Sequence, residues 1–320
     1  MADSRAARLR PNGSGKSILG SLVLALGSGL RALPIRRGKE RLSRWIPLDR
    51  LAESGCFHGR TFRGKQSIVW DASTLPDVMT KSMLWNGSYQ DDVLACIARA
   101  IKPGDQVFDI GAHFGLMSIF ASKLVGEHGK VIAFEPSPRN REVLAHHCRL
   151  NRSSNVIIEA LGLLDRPGEF DFYMTTGHSW NSTFDAAFAQ QQTFDRTTVR
   201  ADTLDNFVER TGLRPALLKI DTEGTELECL LGGIATLRRL RPVLVIEYNS
   251  LSQSRPGEDE QRVIRLLQEL GYRMFIPQFS FWGNVTGQFE ELRGDESLDG
   301  KLLNVLCLPE SRVDLLKVRT

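Results

Sequence analysis

Two carboxylates stand two positions apart at the end of an apolar run: Asp221 and Glu223 follow Leu217, Leu218, Lys219 and Ile220. Acids just past the carboxyl end of a buried strand lie where open α/β sheets place their ligands. Crowding two such groups raises the pKa of one of them, which suits proton abstraction from a neutral acceptor. The same residues have a structural reading, because Asp221 can cap the following helix and Glu223 can complement its N-terminal dipole. For Asp221 both readings stand; for Glu223 scaffold or substrate orientation is favoured. A second base candidate is His178, within residues 177–183, where Trp180 could stack on the apolar face of a sugar ring. An exposed polar loop is the competing account of His178. No histidine lies near the acid pair in sequence, so no metal is expected there.

A co-substrate site is written into residues 107–115, an apolar run that contains Asp109 and ends in a loop with Gly111, Ala112 and Gly115. Glycines at such a point let the chain turn tightly and bring backbone N–H groups close to a ligand. A turn at 103–105 precedes the run and helical spacing over 116–125 follows it. Strand, glycine loop and helix open a doubly wound sheet. The dinucleotide fingerprint has a central glycine for approach to a pyrophosphate, and this loop lacks it. Glu135 closes the next apolar run, where a carboxylate can accept from both hydroxyls of a ribose. An adenosine without a diphosphate points to S-adenosylmethionine. Asp109, Gly111, Ala112, Gly115 and Glu135 are its expected contacts, with Glu159 and Ala160 at the adenine edge.

Four motifs in order sharpen this. The chain resembles the FkbM family of S-adenosylmethionine-dependent methyltransferases over roughly residues 85 to 310. The loop Asp109–Gly115, the Phe134-Glu135-Pro136 turn, Thr203-Leu204-Asp205 and the Lys219–Glu226 block stand where that family carries its own. The chain departs from the pattern at His113, where asparagine is commoner, and near Leu163, where the usual acid is displaced to Asp165. The resemblance implies methyl transfer to a hydroxyl of a sugar, a glycan or glycolipid, or another natural product. The rival account is a non-catalytic cofactor-binding or scaffold protein on the same fold. A nucleotide-dependent oxidoreductase is disfavoured by the missing glycine.

These residues need a frame to hold them. The expected fold is α/β and Rossmann-like, of the class I methyltransferase type. Its sheet would be mostly parallel and seven-stranded, with helices on both faces and a C-terminal antiparallel strand. Residues 1–50 form a basic and apolar extension, 51–102 a helical cap and 103–320 the methyltransferase domain. Helices are expected over 91–101, 116–125, 139–151, 227–239 and 260–270, and strands at 155–160, 169–174, 198–201 and 243–247. Residues 272–276 and 302–308 would finish the sheet as a hairpin-like pair. The loop at 87–89 would cover the methionine end of the donor.

Composition fits this class. Hydrophobic residues make 42% and charged residues 25% of the chain, ordinary for a globular protein. Five scattered cysteines without a C-x-x-C pattern are read as buried free thiols in a reducing, cytoplasmic setting. Eleven of the 41 Lys and Arg residues lie in the first fifty positions, against three acids, so the remainder is net acidic. That disfavours nucleic acid as a partner. The basic start flanks an apolar stretch at 18–26, too short to span a bilayer comfortably. It can form a helix packed on the body or one lying on an anionic membrane surface, so peripheral contact stays open. Gly13 to Ser17 imitates a phosphate loop, but Arg10 occupies the position of its first glycine.

Overall fold

The computed structural model describes residues 56–61, 66–75, 77–86, 89–175, 182–184, 194–249, 261–281, 283–293, 298 and 301–317. The extension 1–50 and the candidate residues His178 and Trp180 lie outside the described residues.

The chain enters through a hairpin, β1 (Cys56–Thr61) and β2 (Gln66–Asp71), and then two helices, α1 (Asp77–Asn86) and α2 (Asp91–Ala100). The span 51–102 is therefore not purely helical. The alternation of buried Ile68 and Trp70 with more exposed Ser67 and Val69 is a strand's period of two, and it docks one face of the hairpin. Next come β3 (Gln106–Ile110), α3 (Leu116–Val125), β4 (Lys130–Phe134), α4 (Pro138–Asn151) and β5 (Val156–Glu159). Local chemistry sets these boundaries. Ser137 accepts from the Asn140 amide at the start of α4, Pro138 occupies its first turn, and Gly126 ends α3.

A second, four-stranded sheet follows: β6 (Gly162–Leu163), β7 (Gly168–Thr175), β8 (Ser182–Thr183) and β9 (Phe194–Asp202), in the order β6-β9-β7-β8. The strands expected at 169–174 and 198–201 pair with each other here rather than joining the main sheet. Then come α5 (Leu204–Thr211), β10 (Leu217–Ile220), α6 (Glu226–Leu231), α7 (Ile234–Leu240) and β11 (Val243–Asn249). The single helix expected over 227–239 is broken at Gly232 and Gly233. A Cβ on Gly232 would lie 2.0 Å from the Leu164 carbonyl oxygen, and one on Gly233 2.6 Å from Leu204. The break is where neighbouring chain presses against the helix.

The chain closes with α8 (Arg262–Glu269), β12 (Tyr272–Phe279), β13 (Val285–Leu292), β14 (Leu302–Pro309) and a 3₁₀ segment, Glu310–Lys317. The main sheet has the order β13-β12-β14-β11-β10-β3-β4-β5. β14 is antiparallel to both β11 and β12. Among the described residues this sheet has eight strands where seven were expected, with β13 at the edge beside β12. Its exposure alternates along nearly its whole length, so it carries no apolar run to mark it in the sequence.

The central strands are buried on both faces. On β3, Val107 points into the cluster with α2, α3 and the hairpin, while Phe108 and Ile110 point into the cluster with α5 to α8. Parallel strands covered by helices on both sides read as continuous apolar runs, as these do. Among the described residues no helix is long and apolar enough to cross a membrane. Cys96, Cys148, Cys229 and Cys307 are free thiols.

Candidate functional site

β3, β10 and β11 lie side by side in parallel register, so the residues following their carboxyl ends converge. After β3 the chain turns through Gly111, whose φ is +77°. A Cβ there would stand 1.8 Å from the Asp221 carbonyl oxygen. Glycine is thus required because the loop after β3 presses on the loop after β10. Gly115 is favoured by its φ of +89°, which side chains rarely adopt, and the Leu144 side chain of α4 packs over it, with Cδ1 2.1 Å from where a Cβ would stand.

The loop's amides are largely spent within the protein. Gly111 and Ala112 both donate to the Phe134 carbonyl at the end of β4 (3.1 and 3.0 Å). The His113 amide donates to Glu135 Oε2 (2.8 Å) and the Ser137 amide to Oε1 (2.9 Å). Burial pushes the Glu135 carboxyl up to about 7, against the pull of these two bonds. Each oxygen has one bond of this kind and can accept another from a ligand hydroxyl.

Glu135 opens into a cleft lined by Phe134, Pro136, Leu161, Gly162, Leu163 and Phe172, with Asp221, Thr222 and Glu223 at its far side. The second sheet walls this cleft through Phe172, Ser182 and Phe184. Gly111, His113, Asp221 and Glu223 are shared with a second cavity of about 330 Å3. Met79, Tyr89, Gln90, Phe114, Glu247 and Asn249 also line that cavity. Tyr89 thus lies where the loop at 87–89 was expected to cover the site.

Electrostatics single out this second cavity. Carboxylate oxygens of Asp221, Glu223 and Glu247 all fall within 4.8 Å of one another. The Asp221 charge, with burial and Glu223 adding, pushes the Glu247 carboxyl up to about 10. Burial, then Asp221 and Glu226, push Glu223 up to about 8. The Tyr89 hydroxyl is raised to about 12 by burial and by the same acids. Glu223 also sits at φ +56°, a left-handed conformation that costs a branched chain and is common where a site dictates the backbone. Its carbonyl accepts from Thr183 Oγ1 at 2.7 Å.

Lys219 anchors the arrangement from below. Its buried Nζ donates to the Gly111 carbonyl (2.8 Å) and lies 3.3 Å from Asp109 Oδ1 and 3.4 Å from Asp221 Oδ2. Burial alone would lower this ammonium, but Asp221 and Asp109 hold it above its ordinary value. Asp109 also accepts from Ser118 Oγ at 2.5 Å.

The expected contacts therefore separate. Gly111, Ala112, Glu135, Asp221 and Glu223 line the cavities. Asp109 and Gly115 line neither and support the loop from behind. Glu159 and Ala160 also line neither, with Glu159 bound through its carbonyl to the Glu135 amide; the next residues, Leu161, Gly162 and Leu163, line the cleft. Asp165 is exposed beside Arg166, so the displaced acid is no cleft residue. Glu247 was missed, although its signal is that of Asp221: an acid at the end of an apolar strand. Its presence removes the ground for expecting no metal, since three carboxylates can hold a hard cation without any histidine.

The sequence profile described as "Methyltransferase FkbM domain" matches residues 109–274, more than half of the chain. The chain belongs to the FkbM methyltransferase domain family. Its methyl donor is S-adenosylmethionine. Over 80 residues the chain is 34% identical to a protein of Thermoplasma acidophilum described as "Probable cobalt-precorrin-6B C(15)-methyltransferase (decarboxylating)". That stretch spans 24% of this chain and 40% of that relative's length. Among solved structures, a precorrin-6y C5,15-methyltransferase from Geobacter metallireducens aligns at 14% identity and a TM-score of 0.40, covering 70% of this chain and 89% of that one. Methyltransferase FkbM from Methylobacillus flagellatus aligns at 12% identity and a TM-score of 0.39, covering 73% and 56%.

Proposed function

We propose that this protein is an S-adenosylmethionine-dependent O-methyltransferase acting on a hydroxyl of a sugar, glycan, glycolipid or other natural product. The observation that carries the proposal is the continuity between the Glu135 cleft and the cavity holding Asp221, Glu223 and Glu247. The residues suit the donor. Glu135 can accept from ribose hydroxyls, and the apolar walls at Phe134, Leu161 and Leu163 suit a purine. When bound, the donor supplies an electrophilic methyl group. The protein's share is alignment, exclusion of water and disposal of a proton.

An alcohol must lose its proton as the new bond forms, and Asp221 is placed to take it. Glu247, pushed up to about 10 beside it, keeps its proton at neutral pH and adds no second charge next to Asp221. Glu223, whose carboxylate lies within 4.8 Å of the other two, orients the acceptor. Acidic walls of this kind repel the phosphates of a nucleic acid and meet no opposing charge on a neutral hydroxyl. The two-cavity arrangement also favours catalysis over a purely cofactor-binding role, because a scaffold would not need acids beside the donor cleft.

The test is transfer of a labelled methyl group to a panel of monosaccharides, glycolipids and polyketide alcohols. Label in an ether is expected, with Asp221→Asn lowering kcat on the order of 100-fold or more while leaving donor affinity within about threefold. Label on carbon or nitrogen, or full turnover by Asp221→Asn, would overturn the proposal. Loss of turnover on chelation, restored by Mg2+, would reassign the three carboxylates to a divalent cation.

A further inference from the structure

His147 of α4 is fully buried, yet it lines neither cavity. Its ring meets Trp70 of β2 edge-on, with centroids 5.0 Å apart. Nδ1 lies 3.2 Å from the Phe114 carbonyl oxygen, in the donor loop. Nε2 lies 3.4 Å from the Asp71 amide and 3.1 Å from Thr74 Oγ1. A carbonyl can only accept and a backbone amide can only donate. Nδ1 must therefore carry the proton and Nε2 must be the acceptor, which fixes one neutral tautomer.

The ring is thus a strut with a defined direction, running from the hairpin to the loop. Its neighbours on α4 hold both ends. One turn on, Asn151 accepts from the Val69 amide and donates to the Val69 carbonyl, both at 2.8 Å, so β2 is pinned on either side of the ring. One turn back, Leu144 packs under Gly115. The loop residue that His147 grips is adjacent to His113, whose amide binds Glu135 and whose φ is +54°. Phe114 lines the cavity beside Asp221 but not the Glu135 cleft.

We propose that His147 is a positioning residue for the methionine end of the donor. Its Nδ1–H orients the Phe114 carbonyl, and the β1–β2 hairpin holds the ring from behind. The hairpin is then part of the donor site although it touches no ligand. This rests on the donor reading above, in which the adenosine occupies the Glu135 cleft and the methionine end faces the carboxylates.

Calorimetric titration of the full chain with S-adenosylmethionine and with methylthioadenosine, which lacks the amino-acid end, tests it. His147→Gln, which reaches the Nε2 position, and His147→Phe, which makes neither bond, should weaken S-adenosylmethionine about tenfold, the worth of one hydrogen bond. Both should leave methylthioadenosine within about twofold, and His147→Asn, whose amide nitrogen can replace Nδ1, should recover most of the loss. A general packing defect would move both ligands together and would not be rescued by asparagine; either result overturns the proposal. Unchanged affinities in folded variants would overturn it as well. Should His147→Phe fail to fold, the contrast between glutamine and asparagine decides alone. If methylthioadenosine does not bind the wild-type chain, the donor reading itself falls.

Discussion

Gly111 shows why one residue type can matter more than the bond it makes. The loop amides that a glycine frees for a ligand in other folds are used here on the Phe134 carbonyl. What glycine supplies is the absence of a Cβ at 1.8 Å from the Asp221 carbonyl, together with access to φ +77°. Gly104 is the natural control: its φ is +88°, but nothing lies within 4 Å of a Cβ. Gly104→Ala should therefore cost about 1 kcal/mol from backbone strain alone. Gly111→Ala should cost more than about 3 kcal/mol and abolish donor binding, because two backbones must part. Urea unfolding and donor titration of the two variants make the comparison. Equal costs would mean that the loop yields and that the contact with Asp221 is incidental.

At the scale of elements, the Thr203-Leu204-Asp205 motif turns out to be a joint between helices. Thr203 Oγ1 accepts from the Asn206 amide at the start of α5. Asp205 Oδ2 accepts from the Ala235 amide (3.0 Å) and Oδ1 from the Thr236 amide (2.7 Å). It thereby caps α7, whose own N-cap, Gly233, offers no side chain. Asp205→Ala should lower stability by about 1–2 kcal/mol and leave donor affinity unchanged, as read by thermal unfolding and calorimetry. A loss of affinity without loss of stability would instead tie Asp205 to the donor site. The core parallel strands were legible because burial on both faces writes them as apolar runs, one containing Asp109 and two followed by Glu135 and Asp221. Glu247 bears the same signature within β11, after the apolar stretch 243–246. β13 left no such trace because its exposure alternates, and the 226–240 break was hidden because Gly232 and Gly233 answer to Leu164 and Leu204, far away in sequence. Periodicity records what an element buries, and not which neighbour presses on it.

For the whole molecule, pH acts in two opposed directions. Burial holds the His147 imidazole near 4, below its ordinary 6.5, so the unfolded chain binds the extra proton first. Stability from this group is complete above about 6.5 and is lost as pH falls toward 4, by up to about 3 kcal/mol. Glu135 and Glu223 have the opposite sign. Their carboxyls are raised to about 7 and about 8, so the folded chain carries no penalty from them below about 4.5 and a growing one as pH rises through those values. Neighbouring charges matter too, because His146 pairs with Asp71 at 3.0 Å beside the His147 ring. The difference in unfolding free energy between wild type and His147→Asn isolates one contribution. It should shrink as pH is lowered from 7 to 4.5, and a difference that is flat with pH would show that His147 titrates in the folded state as it does in the unfolded chain.

The close contact between Gly111 and the Asp221 carbonyl has an evolutionary consequence. The spacing of donor loop and acid residues is a property of two adjacent strands in the middle of the sheet, not of any surface segment. Segments outside these two strands and the loops that follow them can then be exchanged, lengthened or shortened without altering that spacing. A lineage can try new acceptors at its rim while the reaction geometry is inherited unchanged. The contact that makes Gly111 intolerant of mutation is what leaves its surroundings free to diverge.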